Sequence, residues 1–249
     1  MPRSERLKSK SGIYHVLLRA INQEAIFNDE EDCQKFLEIL YSCKEITGCK
    51  IFGYCIMNNH VHLLLNEGDE ELPRIIKRIG VRFVYWYNRK YGRSGPLFQD
   101  RYKSEPVESG RYFLTVLRFI HQNPQKAWIV SKLENYKFSS YSDYLEKNGG
   151  LVDYELALEM LGDEEFIRFS NEVNDDQCLE CNDYDMRLSD EEARDVIRRV
   201  AECRDPEQIA SLPKKERDRV VAEFRAAGMS IRQICRLTGV SFGVVRKFK

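Results

Sequence analysis

Residues 58 to 65, NNHVHLLL, place two of the chain's four histidines one residue apart in a run that reads as buried strand. Side chains two apart on a strand share a face, so His60 and His62 lie side by side while Val61 and Leu63 turn the other way. Two imidazoles on one face can share a metal ion; they can equally be ordinary half-exposed residues. The cysteines offer less. Cys178 and Cys181 form a lone Cys-x-x-Cys with no second pair at zinc spacing, which reads as two thiols in a polar loop.

The elements that must position such a pair belong to a chain of 249 residues, 43% hydrophobic and 11% aromatic, enough for a real core. No apolar run reaches the roughly 18 residues of a membrane span. The basic N-terminus, MPRSERLKSKSG, is not followed by the apolar segment of a signal peptide. With cysteines scattered and no export signal, a cytoplasmic protein is expected.

The net charge of −1 hides a segregation. From Arg74 to Lys103 nine Lys/Arg face the single acid Asp100, and residues 151 to 190 hold thirteen Asp/Glu against Arg168 and Arg187. From Lys214 to Lys249 there are ten basic and three acidic residues. Two basic blocks separated by an acidic one fit two surfaces for a polyanion; basic runs can also be solvated helix faces.

GIYHVLLRAI, from residue 12, has the apolar and β-branched character of a buried strand. DEEDCQKFLEILYSCKEITG follows as a helix of about four turns, with acids in its first turn and glycine at its end. CKIFGYCIM and HVHLLL form a hairpin around Asn58 and Asn59. ELPRIIKRIGVRFVYWYNRKYG is a second amphipathic helix, with Arg74, Lys77, Arg78, Arg82 and Arg89 largely off its apolar side. RYKSEPVE is a fourth strand, and GRYFLTVLRFIHQNP a third helix stopped by Pro124. The order β-α-β-β-α-β predicts an α+β, ferredoxin-like split βαβ with an antiparallel sheet.

After residue 150 the texture changes to short acid-rich helical pieces. Ser189 and Glu192 stand at capping-box spacing. In AAGMSIRQICRLTGVSFGVVRKFK, Ser230 can cap one helix whose Ile231, Ile234 and Leu237 face inward. Gly239 makes a turn and Ser241 caps a last short helix carrying Arg246 and Lys247. That is helix-turn-helix spacing, which the basic excess turns toward DNA, although a helical hairpin that only caps a domain has the same pattern. The expected division is 1–147 for the sheet domain, 148–188 for an acidic helical linker region, and 189–249 for a helical C-terminal domain.

Four stretches in register, YHVLLRA, GYCIMNNHVHLLL, GPLFQDRYKSEPV and LRFIHQNPQKA, resemble the single-tyrosine HUH transposases, the small bacterial insertion-sequence transposases and their REP-associated relatives. The resemblance covers residues 12 to about 145, with His60-Val61-His62 as the His-hydrophobic-His motif. It implies a divalent metal, Mg2+ or Mn2+, held by His60, His62 and a polar residue of the third helix, which here matches Asn123. It further implies single-stranded or hairpin DNA as partner, a homodimer, and a tyrosine on that helix that captures the scissile phosphate. A metal would neutralise charge on the phosphate, and covalent capture would conserve the bond energy for rejoining. Imidazole ligands suit manganese better than magnesium on softness grounds.

The family's nucleophile position, four residues and one turn before the polar ligand, is Phe119. Phenylalanine has no hydroxyl and cannot form the linkage. Tyr112 lies seven residues before Phe119, on nearly the same helix face but about 10 Å along the axis, and Tyr102 and Tyr136 fall outside the helix. His121 is expected off the Phe119–Asn123 face, at the surface. Three readings stay open: a strand transferase with another nucleophile, a catalytically disarmed DNA-binding descendant, and a water-using nuclease. DNA contact is expected from Arg19, Lys77, Arg82, Arg89, Arg101 and Lys103, with Arg246 and Lys247 as a second grip.

Overall fold

In the computed structural model the described residues are 7–99, 101–179, 190–201 and 206–248. The order opens with β1 (Ile13–Arg19), α1 (Glu30–Thr47), β2 (Lys50–Ile56), β3 (His60–Asn66), α2 (Leu72–Lys90), β4 (Lys103–Pro106) and α3 (Gly110–Lys126). The four strands run β2-β3-β1-β4 in one sheet with every neighbouring pair antiparallel, the split βαβ arrangement expected from the sequence. β1 and β3 hold the centre, which is why their sequences read as continuous apolar runs instead of alternating ones: both faces are covered.

Local chemistry fixes the helix ends. Asp29 caps α1 by accepting from the Asp32 N–H, and the Asp32 carboxylate accepts from the Asp29 N–H, a reciprocal box. Gly48 closes the helix in the left-handed conformation. The last turn of α2 brings Lys90 onto Asp29, Glu31 and Asp32, joining the end of one helix to the start of the other. α3 runs on through Pro124 to Lys126 instead of stopping at the proline. Near a helix's C-terminal end the missing N–H forfeits one bond, and the packed helix absorbs it.

Chain contacts divide the protein into two units, Met1–Gln125 with Val130–Cys181, and Lys126–Ile129 with Asn182–Lys249. The described part of the acidic segment, expected as a linker, packs within the first unit. It includes α5 (Glu155–Leu161) and α6 (Asp163–Asn171), preceded by α4 (Tyr141–Glu146). Asp153 accepts from the Ile51 N–H at 2.8 Å and pairs with Lys44, while Glu172 and Asp176 hold Arg118. Phe166 stacks on Tyr144 with ring centroids 4.6 Å apart. The acids here neutralise cations of the same unit, which explains why a charge-rich stretch folds.

The second unit contains α7 (Asp190–Val200), a 3-10 stretch at Pro206–Ser211, α8 (Lys214–Ala226), α9 (Ile231–Thr238) and α10 (Phe242–Val245). Its core includes Ile197, Ile209, Val221, Phe224, Ile234 and Val245, all fully buried. Ser230 caps α9 by accepting from the Gln233 N–H, and Gly239 turns the chain at φ +72. Ser241 stands at the start of α10 but its side chain makes no cap bond. α10 ends at Val245, so Arg246 sits at its cap and Lys247 in the following turn, beyond the helix. The Ser189 cap, Cys181 and Arg187 lie outside the described residues. Among the described residues no helix is long and apolar enough to cross a membrane.

Candidate functional site

Antiparallel register places the polar groups. Directly paired residues share a face, and β1 pairs Leu17 with His62 and Arg19 with His60, while His15 pairs with Glu105 of β4. One face therefore carries Glu105, His15, Leu17, Arg19, His60 and His62. α3 lies across it. Its approach is permitted by Gly53, where a β-carbon would come within 2.7 Å of the Leu117 side chain. The helix then delivers Phe119 and Asn123, one turn apart, over the histidines.

The contacts are specific. The Asn123 Nδ2 lies 3.3 Å from His62 Nε2, and the Phe119 ring centroid lies 5.6 Å from that of His62 and 5.9 Å from that of His15. His60 and His62 rings meet edge to face at 5.1 Å. His60 Nδ1 is 2.7 Å from the Asn59 Oδ1, which can only accept, so the ring carries its proton there. His60 Nε2 is buried with no hydrogen-bond partner within the protein.

The electrostatics favour neutral rings. Burial lowers His60 to about 4, and the charge of Arg19 acts the same way; the nearby Asn123 amide opposes both. His62 is lowered well below the ordinary histidine value by burial, then by His60 and His15. Neutral imidazoles are ligands, charged ones are not. The arrangement fits a divalent cation: an orphaned buried Nε2 on His60, the Nε2 of His62, and an amide that presents Oδ1 or Nδ2 to the same point when turned over. Among the described residues no group of three or more His, Cys, Asp and Glu stands at metal-binding distance, so the third protein ligand would be Asn123.

Two residues of this network were not singled out from the sequence. His15 Nε2 lies 2.9 Å from His62 Nδ1, and His15 Nδ1 lies 2.7 Å from a carboxylate oxygen of Glu105. YHVLLRA carries His15 in plain view, but only the β1–β3 register brings it onto His62. His121 is also displaced from expectation. It is buried rather than at the surface, its Nε2 2.8 Å from Ser140 Oγ, and burial lowers it to about 3. α4 and α6 supply Tyr141, Tyr144 and Phe166, the rings that cover it.

Two of the alternative tyrosines, Tyr136 and Tyr112, are hydrogen-bonded through their hydroxyls. Tyr136 donates to the Ile56 carbonyl at 2.7 Å, and burial raises it far above the ordinary value. Tyr112 is raised by burial and by the charge of Glu105, to which its hydroxyl is bonded. The basic residues split into two kinds. Lys77, Arg89, Arg101, Lys103, Arg246 and Lys247 are exposed, whereas Arg82 is half-buried and donates to Ser42. Arg78, Lys90 and Arg93 of the same basic block are held by Glu70, by the α1 acids and by Glu24. Arg19 is half-buried beside His60, its Nε and one Nη buried without a hydrogen-bond partner.

The model of the family described as IS200-like transposase matches residues 8–123, the span that builds this face and its helix. Over that segment, slightly under half of the chain, the sequence is similar to the IS200-like transposases. Among solved structures, a REP-associated tyrosine transposase bound to a REP hairpin is similar over 72% of this chain and 95% of its own, at 15% identity and a TM-score of 0.53. At that identity the likeness establishes the fold. A protein of Deinococcus radiodurans R1 assigned as a transposase matches 49% of this chain and 97% of its own, at 17% identity and a TM-score of 0.35. No curated protein matches the chain.

Proposed function

We propose that this protein binds single-stranded or hairpin DNA at a divalent-cation site made of His60, His62 and Asn123, and that Phe119 leaves it without the nucleophile for covalent strand capture. The observation that carries this reading is the Phe119 ring, 5.6 Å from His62 and one turn before Asn123, with no oxygen at that position. When bound, Mg2+ or Mn2+ would supply Lewis-acid neutralisation of a phosphate oxygen. The chain's own residues do the rest. His60 and His62 stay neutral and present Nε2, and Asn123 closes the set from the helix. Arg19 brings two unpaired guanidinium nitrogens beside His60, donors suited to a phosphate.

Exposed Lys77, Arg89, Arg101 and Lys103 extend this toward a polyanion, and the REP hairpin bound by the structural relative is consistent with such a partner. Arg246 and Lys247 beside α10 make a second, exposed basic site in the helical unit. A homodimer is expected by analogy with the family. A second reading, strand cleavage by Tyr112, draws on its bond to Glu105, which His15 connects to His62.

The test is incubation of the full chain with Mn2+ and a hairpin-bearing oligonucleotide, read on a denaturing gel beside a binding assay. Binding without a covalent adduct is expected, together with adduct formation by Phe119→Tyr, which adds one hydroxyl at nearly unchanged shape. An adduct formed by the unaltered protein and mapped to Tyr112 would establish the second reading instead.

A further inference from the structure

We infer that His15 and Glu105 are positioning residues that hold His62 in the tautomer with its proton on Nδ1, so that Nε2 is left to face Asn123 and a bound cation. The inference rests on the cation reading of His60, His62 and Asn123 and deepens it.

The polarity of the chain of bonds follows from what each group can do. A carboxylate only accepts, so Glu105 receives the His15 Nδ1–H across 2.7 Å. When His15 carries that one proton only, its Nε2 holds a lone pair, and across the 2.9 Å contact His62 is the donor, from Nδ1. The opposite polarity would leave a ring nitrogen lone pair facing the carboxylate, and would put His62's proton on the atom that must bind metal. On the far side of His62 the Asn123 amide lies 3.3 Å from Nε2, within reach of the same point as a cation.

Glu105 is itself fixed. It accepts from the Leu179 N–H at 3.0 Å and from Tyr112, so its position is set from β4, from α3 and from the acidic segment together. His60 reaches the same tautomer by a different device, the side-chain Oδ1 of Asn59 at 2.7 Å. Two rings with unrelated partners thus both carry their proton on Nδ1 and both present Nε2. A lone satisfied histidine in a core would need no such agreement.

The test uses the full-length protein labelled with 15N-histidine, with long-range 1H–15N spectra in the absence of metal and Mn2+ titration by calorimetry. The unaltered protein is expected to show His62 protonated on Nδ1. In His15→Phe that single tautomer should be lost, and Mn2+ affinity should fall about 10–100-fold, the usual loss when a ligand histidine's outer partner goes. His15→Gln keeps a side-chain carbonyl able to accept from Nδ1–H and should restore most of both. Glu105→Gln, nearly the same in shape and at a side chain one quarter exposed, should weaken Mn2+ binding less than His15→Phe and covers the case in which that variant does not fold. Unchanged tautomer and unchanged affinity in folded His15→Phe, or in Glu105→Gln where the former fails to fold, would overturn the inference. If the unaltered protein takes up no Mn2+, the cation reading falls, and the spectra alone decide this one. A His62 proton on Nε2 would refute it, and a proton on Nδ1 that His15→Phe dislodges would sustain it.

Discussion

In the first unit the polar groups that matter are inside. His15, His60, His62 and Asn123 expose between 0% and 8% of their surface, and each ring is held by a named neighbour. In the second unit the arrangement is reversed. An apolar core of Ile197, Val221, Phe224 and Ile234 lies beneath, and the basic side chains Arg246 and Lys247 stand in solvent. The difference is the one expected if the first unit takes a cation and the second a phosphate backbone. A cation needs desolvated lone pairs fixed before it arrives, since buried polar atoms gain most from a partner. A phosphate backbone needs mobile charges that stay hydrated until contact, and the gain comes from released counterions. The same contrast separates Arg19, with buried unpaired nitrogens beside His60, from exposed Lys77 and Arg89 on α2.

The largest expected effect tests whether the helical unit is a body in its own right. Phe224 is fully buried among α8's partners, and Phe224→Ala should cost about 3–5 kcal/mol of that unit's stability. Thermal melts should show an early transition for it, with Mn2+ uptake at the histidines retained above that transition while the first unit stays folded. Loss of Mn2+ uptake together with that early transition would mean that the histidine site depends on the helical unit. For the same reason, deleting the chain from residue 214 is a poor probe of the tail, because it strips α8, α9 and α10 from the core they share with α7.

Next comes the cation site. His60→Ala removes the buried Nε2 that lacks a partner and should reduce Mn2+ affinity by more than the roughly 10–100-fold expected from losing an outer partner. Chelation of the metal should leave any DNA contact made through Arg246 and Lys247 in place. Equal Mn2+ affinity in a folded His60→Ala would place the ion elsewhere. A smaller effect belongs to the exposed cations. Arg246→Ala combined with Lys247→Ala should weaken DNA binding and reduce the slope of log K against log salt by about 2, near 0.9 per phosphate contact. An unchanged slope would make the tail a structural cap.

Much of this could be seen along the chain, and the reason is range. His60 and His62 are two apart on one strand, and Phe119 and Asn123 four apart on one helix, so period alone sets their faces. The βαββαβ order followed from local patterns. What escaped was everything decided by partners distant in sequence. His15 meets His62 only through strand register across 47 positions. His121 is off the Asn123 face as expected, yet α4 and α6 cover that side and bury it. The basic block from Arg74 to Lys103 is uniform in sequence, yet Glu70, Glu24 and the α1 acids hold three of its cations. Pro124 reads as a stop, yet packing carries the helix past it.

The smallest predicted effect concerns how the exposed charges of the helical unit contribute to its stability. Asp190, in the first turn of α7, accepts from Arg236 of α9, and that bond, followed by one from Gln233, lowers its carboxyl to about 2. The folded value lies below the ordinary 3.8, so the folded state favours the charged form. The contribution is therefore complete above 3.8 and disappears as pH falls through about 2. Both side chains are largely in solvent, so screening keeps the contribution slight. Asp190→Asn should lower the melting temperature of the helical unit only slightly near neutral pH, and the gap to the unaltered protein should close between pH 4 and about 2. Salt should narrow the same gap at neutral pH. A gap that persists at pH 2 would mean that Asp190 acts through shape or through the Gln233 bond, and that the ion pair across α7 and α9 contributes nothing measurable.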